Sequence, residues 1–508
     1  MSRVTIAITL VCLQLCPSLC CADVTLATLF RDGVVLQRDK PVAVWGWANA
    51  GETATVRFQG QTKAATPDAH GRWLVHLNPL KASATPDQLI ASGNNTVTVN
   101  GVLVGDVWLC SGQSNMNLPL SATNDAKQEI ARAKFPLIHY FDVKASILEE
   151  PAEAADGEWQ VCSPETAGEF SAVGYYFATD IQLQLEVPIG IIKASLGGSP
   201  IEGWISADAI ASTPASVPAI REWARMKTGY DNRAKDYRSQ IANWKTRNAK
   251  SSPAGQSPSD PRPIRPWVDS DRNKPSGLYN GFIHPLEPFT LAGFLWYQGE
   301  GNVPRATDYK VLFPLMIEQW RRDFKQADLP FLFVQLPGYE QKSDATSQSW
   351  AWLRDAQAAA LALPDVGMAV TIDIGDPVDI HPGNKKDVGQ RLALIALRQV
   401  HGRQADDSGP TRTDIEPIAD SLRIQFANAR GLAFRGDPSG MFAVAGADRK
   451  FVPADSRIDG NAVIVSGKGV KAPVAVRFEW TNNPKGWLVN MAGLPAAPFR
   501  SDDWQPTH

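Results

Sequence analysis

The sequence predicts an α/β protein: a parallel sheet flanked by helices, with a β-sandwich-like domain before it and another after it. Three observations lead there. The middle of the chain alternates short apolar runs with helical patterns, as strands and their crossover helices do. Both ends instead carry short Val-, Thr- and Trp-rich runs divided by Gly, Asn and Asp turns. The chain is also long: 508 residues exceed one ordinary core, while 44% hydrophobic and 20% charged residues suit a folded soluble protein.

The first segment, "MSRVTIAITLVCLQLCPSLCCADVTL", opens with Arg3 and an apolar run from Val4 to Leu15. That run is too short to span a bilayer, and Pro17 and Ser18 break it. It reads as a secretory signal peptide, residues 1–22, cut after the small residue Ala22, so the mature chain is expected to be exported to the periplasm or secreted. The rival reading is a lipid anchor on Cys20 or Cys21, but the residues ahead of them lack the small residue such a site wants. Four of the six cysteines (Cys12, Cys16, Cys20, Cys21) lie in this segment. Cys110 and Cys162 remain; they either pair or stay as buried thiols.

Residues 23–103 carry "VVLQRDKPVAVWGWA", "ETATVRFQG", "GRWLVHL" and "NTVTVNGVLV", which predict the N-terminal β domain. Residues 104–405 carry the alternating pattern: "VGDVWLC", "LIHYFDV", "PIGIIKAS", "LAGFLWY", "LPFLFVQL" and "GMAVTIDIGD" as strands, with helical stretches between them. Pro314 falls in one of those stretches and is expected to kink the helix or mark its start. An insertion at 206–274 begins with a charged helical excursion. It ends in "AKSSPAGQSPSDPRPIRPW", which reads as a mobile loop. Residues 406–508 return to β patterns and predict the C-terminal β domain.

A net charge of −3, with no long basic run, argues against nucleic acid or an anionic membrane surface as a partner. The chain has no Gly-rich phosphate loop, no His-Glu-x-x-His and no Cys-x-x-Cys, so neither a cofactor nor a metal is expected. The 16 Trp could stack on sugars, but the core is their default place.

In an open α/β sheet, ligands bind beyond the carboxyl ends of the strands. The residues there are Ser-Gly-Gln113-Ser114-Asn115 after "VGDVWLC", Gly197-Gly198-Ser199 after "PIGIIKAS", Gln298-Gly299-Glu300 after "LAGFLWY", and Asp379 with His381 after "GMAVTIDIGD". Taken singly, each is a turn, a cap or surface polarity. Together they supply a hydroxyl, uncrowded backbone N–H groups, an amide and an acid–imidazole pair, the inventory of acyl transfer.

"CSGQSNM", "SLGGSPIEGW", "WYQGEGN" and "DIHPGNK", in that order, together with the closing "GLPAAPFRSDDW", resemble the bacterial sialate O-acetylesterase family. That family is a carbohydrate-esterase branch of the SGNH hydrolases, and the resemblance covers nearly the whole mature chain. It implies an SGNH-like sheet and release of acetyl groups from sugars, either sialic acids or hemicelluloses such as xylan or xyloglucan. It makes Ser114 the nucleophile and His381 the base, with Asp379 as the orienting acid and Asp376 or a backbone carbonyl as the alternatives. It assigns the oxyanion hole to Gly198, in preference to Gly197, and to Gln298. Gln113, Asn115 and Glu300 are expected to brace the site or touch substrate. The insertion and the β-domain loops are expected to shape the choice of sugar.

Two other readings stand beside this one. Glu300 with Asp376 or Asp379 could form a glycosidase acid pair. Alternatively, the β domains could bind glycans without catalysis through Trp45, Trp47 or Trp73. A cysteine nucleophile at Cys110 is disfavoured, because burial at the end of an apolar strand keeps a thiol protonated.

Overall fold

The computed structural model describes residues 23–251, 263 and 271–504. The expected signal peptide and the loop read from "AKSSPAGQSPSDPRPIRPW" lie outside them, apart from Ala249–Ser251 at the end of a helix and Pro263. No described helix is long and apolar enough to cross a membrane. The protein is mixed α/β, with several sheets and a separate C-terminal β domain.

Seven strands form the central sheet: β1 (Thr96–Gly112), β2 (Phe135–Asp142), β3 (Trp159–Cys162), β4 (Ile189–Ser195), β5 (Gly293–Tyr297), β6 (Phe331–Val334) and β7 (Val366–Ala369). Their spatial order is β3-β2-β4-β1-β5-β6-β7. All neighbours are parallel except the edge pair β3 and β2. The strands are apolar on both faces because helices cover both. Period-two alternation separates those faces. Phe331 and Phe333 meet Phe313 of helix α2 (Ala306–Asp323), whereas Leu332 points toward Ile395 of helix α4 (Lys386–Gln399). Helix α1 (Ala172–Leu185) packs on α4 and sends Phe177 against Trp108. Helix α3 (Ser349–Ala358) packs on α2. Helix α2 begins at Ala306 and continues past Pro314, so the proline neither starts nor ends it.

The boundary expected near residue 103 falls inside a strand. β1 has 17 residues; its first part pairs with Ser83–Ser92 and its second with β4 and β5. The N-terminal β region and the central sheet therefore share one continuous core, running from Val24 to Leu397. Trp45 and Trp73 are buried in it, Trp45 edge-on to Phe30 at 4.9 Å, so neither offers a face to a sugar. The insertion opens with helices at Ala207–Ala211, Val217–Thr228 and Tyr230–Ser251, as its charge pattern suggested. The C-terminal region has its own core around Phe442 and Phe478, under a seven-stranded antiparallel sheet.

Arg354 on α3 fastens that last region to the rest. It is fully buried and donates to the carbonyls of Leu336 and Pro337 near the central sheet, and to those of Thr481 and Asn482 in the C-terminal region, at 2.7–2.8 Å. Removing it strands several buried carbonyls at once. Arg354→Ala is expected to cost about 3 kcal/mol or more, read as a lower urea midpoint, with hydrogen exchange rising first at 481–482. An unchanged midpoint would show that the junction does not depend on this side chain.

Candidate active site

Strand register brings the sequence motifs to one edge. Gly112, the last residue of β1, lies level with Ser195 of β4 and Tyr297 of β5. The segments that leave these strands therefore emerge side by side. Gly112 adopts φ +132°, and a Cβ there would stand 2.2 Å from Tyr297 O, so only glycine lets β1 turn this tightly. The turn delivers Ser114 as the first residue of a short helix, Ser114–Asn117.

The hydroxyl of Ser114 meets an imidazole: His381 Nε2 is 2.8 Å from Ser114 Oγ. Behind the ring, Asp379 Oδ1 lies 3.7 Å from Nδ1, an ion-pair separation rather than a hydrogen bond. The same oxygen accepts the backbone N–H of His381 at 2.8 Å. Asp376 is occupied elsewhere. Its Oδ1 caps the turn by accepting N–H groups of Val378 and Asp379, which hold its carboxyl below the usual range.

The remaining motif residues brace one strand tip against another. Gln113 Oε1 accepts from the N–H groups of Gly299 and Gly301, at 3.4 and 3.1 Å. Asn115 is fully buried, and its Nδ2 donates to Glu300 Oε1 at 2.6 Å and to Ile380 O at 3.0 Å. One amide thus joins the serine turn, the loop after β5 and the histidine loop. Burial raises the Glu300 carboxyl, while Asn115 and the nearby Lys385 pull it the other way. A buried, amide-tied carboxyl is a poor member of a glycosidase pair, which must reach the sugar on both sides.

Gln298 does not present a spare donor. It is fully buried, and its Nε2 donates to Ser199 O at 3.2 Å and to Asn302 Oδ1 at 2.8 Å. Its visible work is to hold the "LGGS" turn in place. Gly197 of that turn borders the nucleophile: a Cβ on it would be 3.6 Å from Ser114 Cβ. Gly198 sits at φ +68°, and no partner for its N–H is found among the described residues. Cys110 and Cys162 are free, buried thiols, and burial pushes both up, Cys162 to about 12.

Some neighbours escaped sequence reasoning. Glu202, in "SPIEGW", is fully buried and binds Arg305 at 2.8 Å and Asn302 at 2.9 Å, locking the loops after β4 and β5 together. Lys385, in "HPGNK", is buried, donates to Pro382 O and lies 5.8 Å above the Tyr297 ring. Burial brings its ammonium down to about 8, against the pull of Glu300 and Asp379. Both residues sit inside quoted motifs; for Glu202 the available signal was a charged residue set between Ile201 and Gly203-Trp204, whereas Lys385, between Asn384 and Lys386, offered none. Arg272, whose Nη1 donates to Gly197 O at 3.2 Å, carried no such signal, because it lies in the insertion.

Comparison with known proteins places the chain among the carbohydrate esterases. Residues 264–398 match the family described as "Carbohydrate esterase, sialic acid-specific acetylesterase". The sialate O-acetylesterase of Mus musculus is 30% identical over 93% of this chain and 93% of its own. The Homo sapiens sialate O-acetylesterase is 28% identical, over 93% of this chain and 91% of its own. The solved structure of a carbohydrate acetylesterase from Xanthomonas citri superposes with a TM-score of 0.80 at 37% identity, covering 95% of this chain and all of that one. With a relative 30% identical across 93% of both lengths, the chain belongs to the sialate O-acetylesterase family of carbohydrate esterases.

Proposed function

We propose that this carbohydrate O-acetylesterase works through an acetyl-enzyme on Ser114, formed at the carboxyl edge of an SGNH-type parallel sheet. The observation that carries the reading is the 2.8 Å contact between His381 Nε2 and Ser114 Oγ at the one edge where four motifs converge. His381 takes the Ser114 proton as Oγ attacks the acetyl carbonyl, and returns it to the departing sugar hydroxyl. Water, deprotonated by the same imidazole, then releases acetate and restores the serine. Asp379 lies close enough to favour the imidazolium by its charge, and closes to hydrogen-bonding distance as that charge forms. Catalytic contacts are commonly looser in the free enzyme.

The oxyanion is held by the backbone N–H groups of Ser114 and Gly198. Gln298 supports that hole from below by fixing Ser199 O. Asn115 and Glu300 position rather than react: they keep the serine turn and the histidine loop in register. The substrate is an O-acetylated sugar, either a sialic acid or a hemicellulose unit.

Acetate release from an aryl acetate, an O-acetylated sialic acid and acetylated xylan or xyloglucan oligosaccharides tests the reading. Ser114→Ala is expected to lose at least about a thousandfold in rate on every substrate the parent hydrolyses; an undiminished rate would return "CSGQSNM" to a mere turn. The Asp379 carboxylate is 64% exposed and solvent-screened. Asp379→Asn is therefore expected to lose no more than about a hundredfold, less than a buried triad acid does. Asn115→Ala frees the histidine loop and leaves Glu300 buried without its donor. It is expected to lower kcat about tenfold or more, with a stability loss of about 1–3 kcal/mol; a change confined to KM would make Asn115 a substrate contact.

A further inference from the structure

Arg272 stands beside the candidate site, and among the described residues no acid neutralises it. The guanidinium lies flat against the "LGGS" turn. Besides its bond to Gly197 O, a Cβ on Gly198 would meet its Cζ and Nη1 at 2.9 Å and its Nε at 3.1 Å. Gly197 in turn borders Ser114. Covalent geometry then places the guanidinium within roughly 11 Å of Ser114 Cβ. A sugar with its acetyl group at Ser114 and another substituent across one ring covers a gap of that order.

The charge is unspent. Arg272 is exposed, and among the described residues no Asp or Glu pairs with it. Asp271, its neighbour, is turned inward, where its Oδ1 accepts from Asn273 N and Nδ2 at 2.8 and 2.7 Å. Lys274, the other cation of this stretch, is buried against Glu149. One cation is thus neutralised and the other is held by a single carbonyl, with donors left over. A guanidinium fork matches a carboxylate in shape and charge, and it is weakly hydrated, so turning from water to a ligand costs it little.

We propose that Arg272 is a carboxylate fork at the mouth of the site, which selects acetylated sugar acids over neutral acetylated sugars. The inference rests on the acetyl-enzyme reading above and adds the charge of the substrate to it. Two sources carry the required carboxylate, a sialic acid and a uronic acid. The rival role for Arg272 is a clamp that merely steadies the Gly197–Gly198 turn.

Kinetics with each acetylated acid and its own methyl ester separate these roles, because the ester keeps the acetyl group and removes only the charge. The parent is expected to prefer the free acid. Arg272→Gln is expected to cut that preference roughly 10- to 100-fold, through KM. Arg272→Lys keeps the charge without the fork and should fall between the two. The acid whose preference collapses further, sialic or uronic, is the one the fork reads. A parent with no preference for the acid overturns the proposal, and so does a preference that survives Arg272→Gln. An equal fall in kcat on acids and esters alike makes Arg272 the clamp. Calorimetric titration of Ser114→Ala with the same acids and esters probes the contact without turnover. Acid-selective binding that vanishes in Ser114→Ala/Arg272→Gln upholds the fork even if the serine mechanism fails.

Discussion

The site hangs on one buried amide. Asn115 reaches from the serine turn to a carboxyl on the loop after β5 and to a carbonyl on the histidine loop. Ser114 and His381 lie 267 positions apart in the chain. Nothing local can hold them at hydrogen-bonding distance. A buried side-chain amide can, because Asn115 is fully shielded from water, so its bonds meet no competing solvent and leaving them unmade is costly.

Around that amide the motifs act as a lattice of braces. Gln113 ties the serine turn to the glycines after Gln298. Gln298, Asn302 and Glu202 tie that loop to the "LGGS" turn. Few of these residues touch the reacting atoms. They hold four loops in the mutual register that strands normally supply, which the acetyl-enzyme route proposed above would require of its reacting groups.

The site also divides its charges by depth. Glu300 and Lys385 are buried beneath it, each displaced by burial toward its neutral form and each drawn back by the other. Asp379 and Arg272 stand near water, where charge is screened by salt, the first beside the imidazole and the second beside the "LGGS" turn. Buried polarity here sets geometry, and the exposed charges are the ones salt can screen.

Much of this was legible in the sequence. The strand–helix alternation marked the central sheet, because apolar runs between helical patterns have few other folds. The polar residues after those runs marked the site, because strand ends are where such sheets expose their loops. Ser114 and His381, whose side chains the fold brings to 2.8 Å, were therefore nameable as candidates from the sequence. Tertiary structure decided the rest. It placed Asp379 at 3.7 Å from the imidazole and turned Asp376 away. It committed the amide of Gln298 to two other acceptors, and it carried β1 through the expected domain boundary. It also brought Arg272, from an insertion with no motif, against Gly198. Residue type states what a side chain can donate or accept. Which partner it meets depends on strand register and loop path, and those are settled only when the whole core packs.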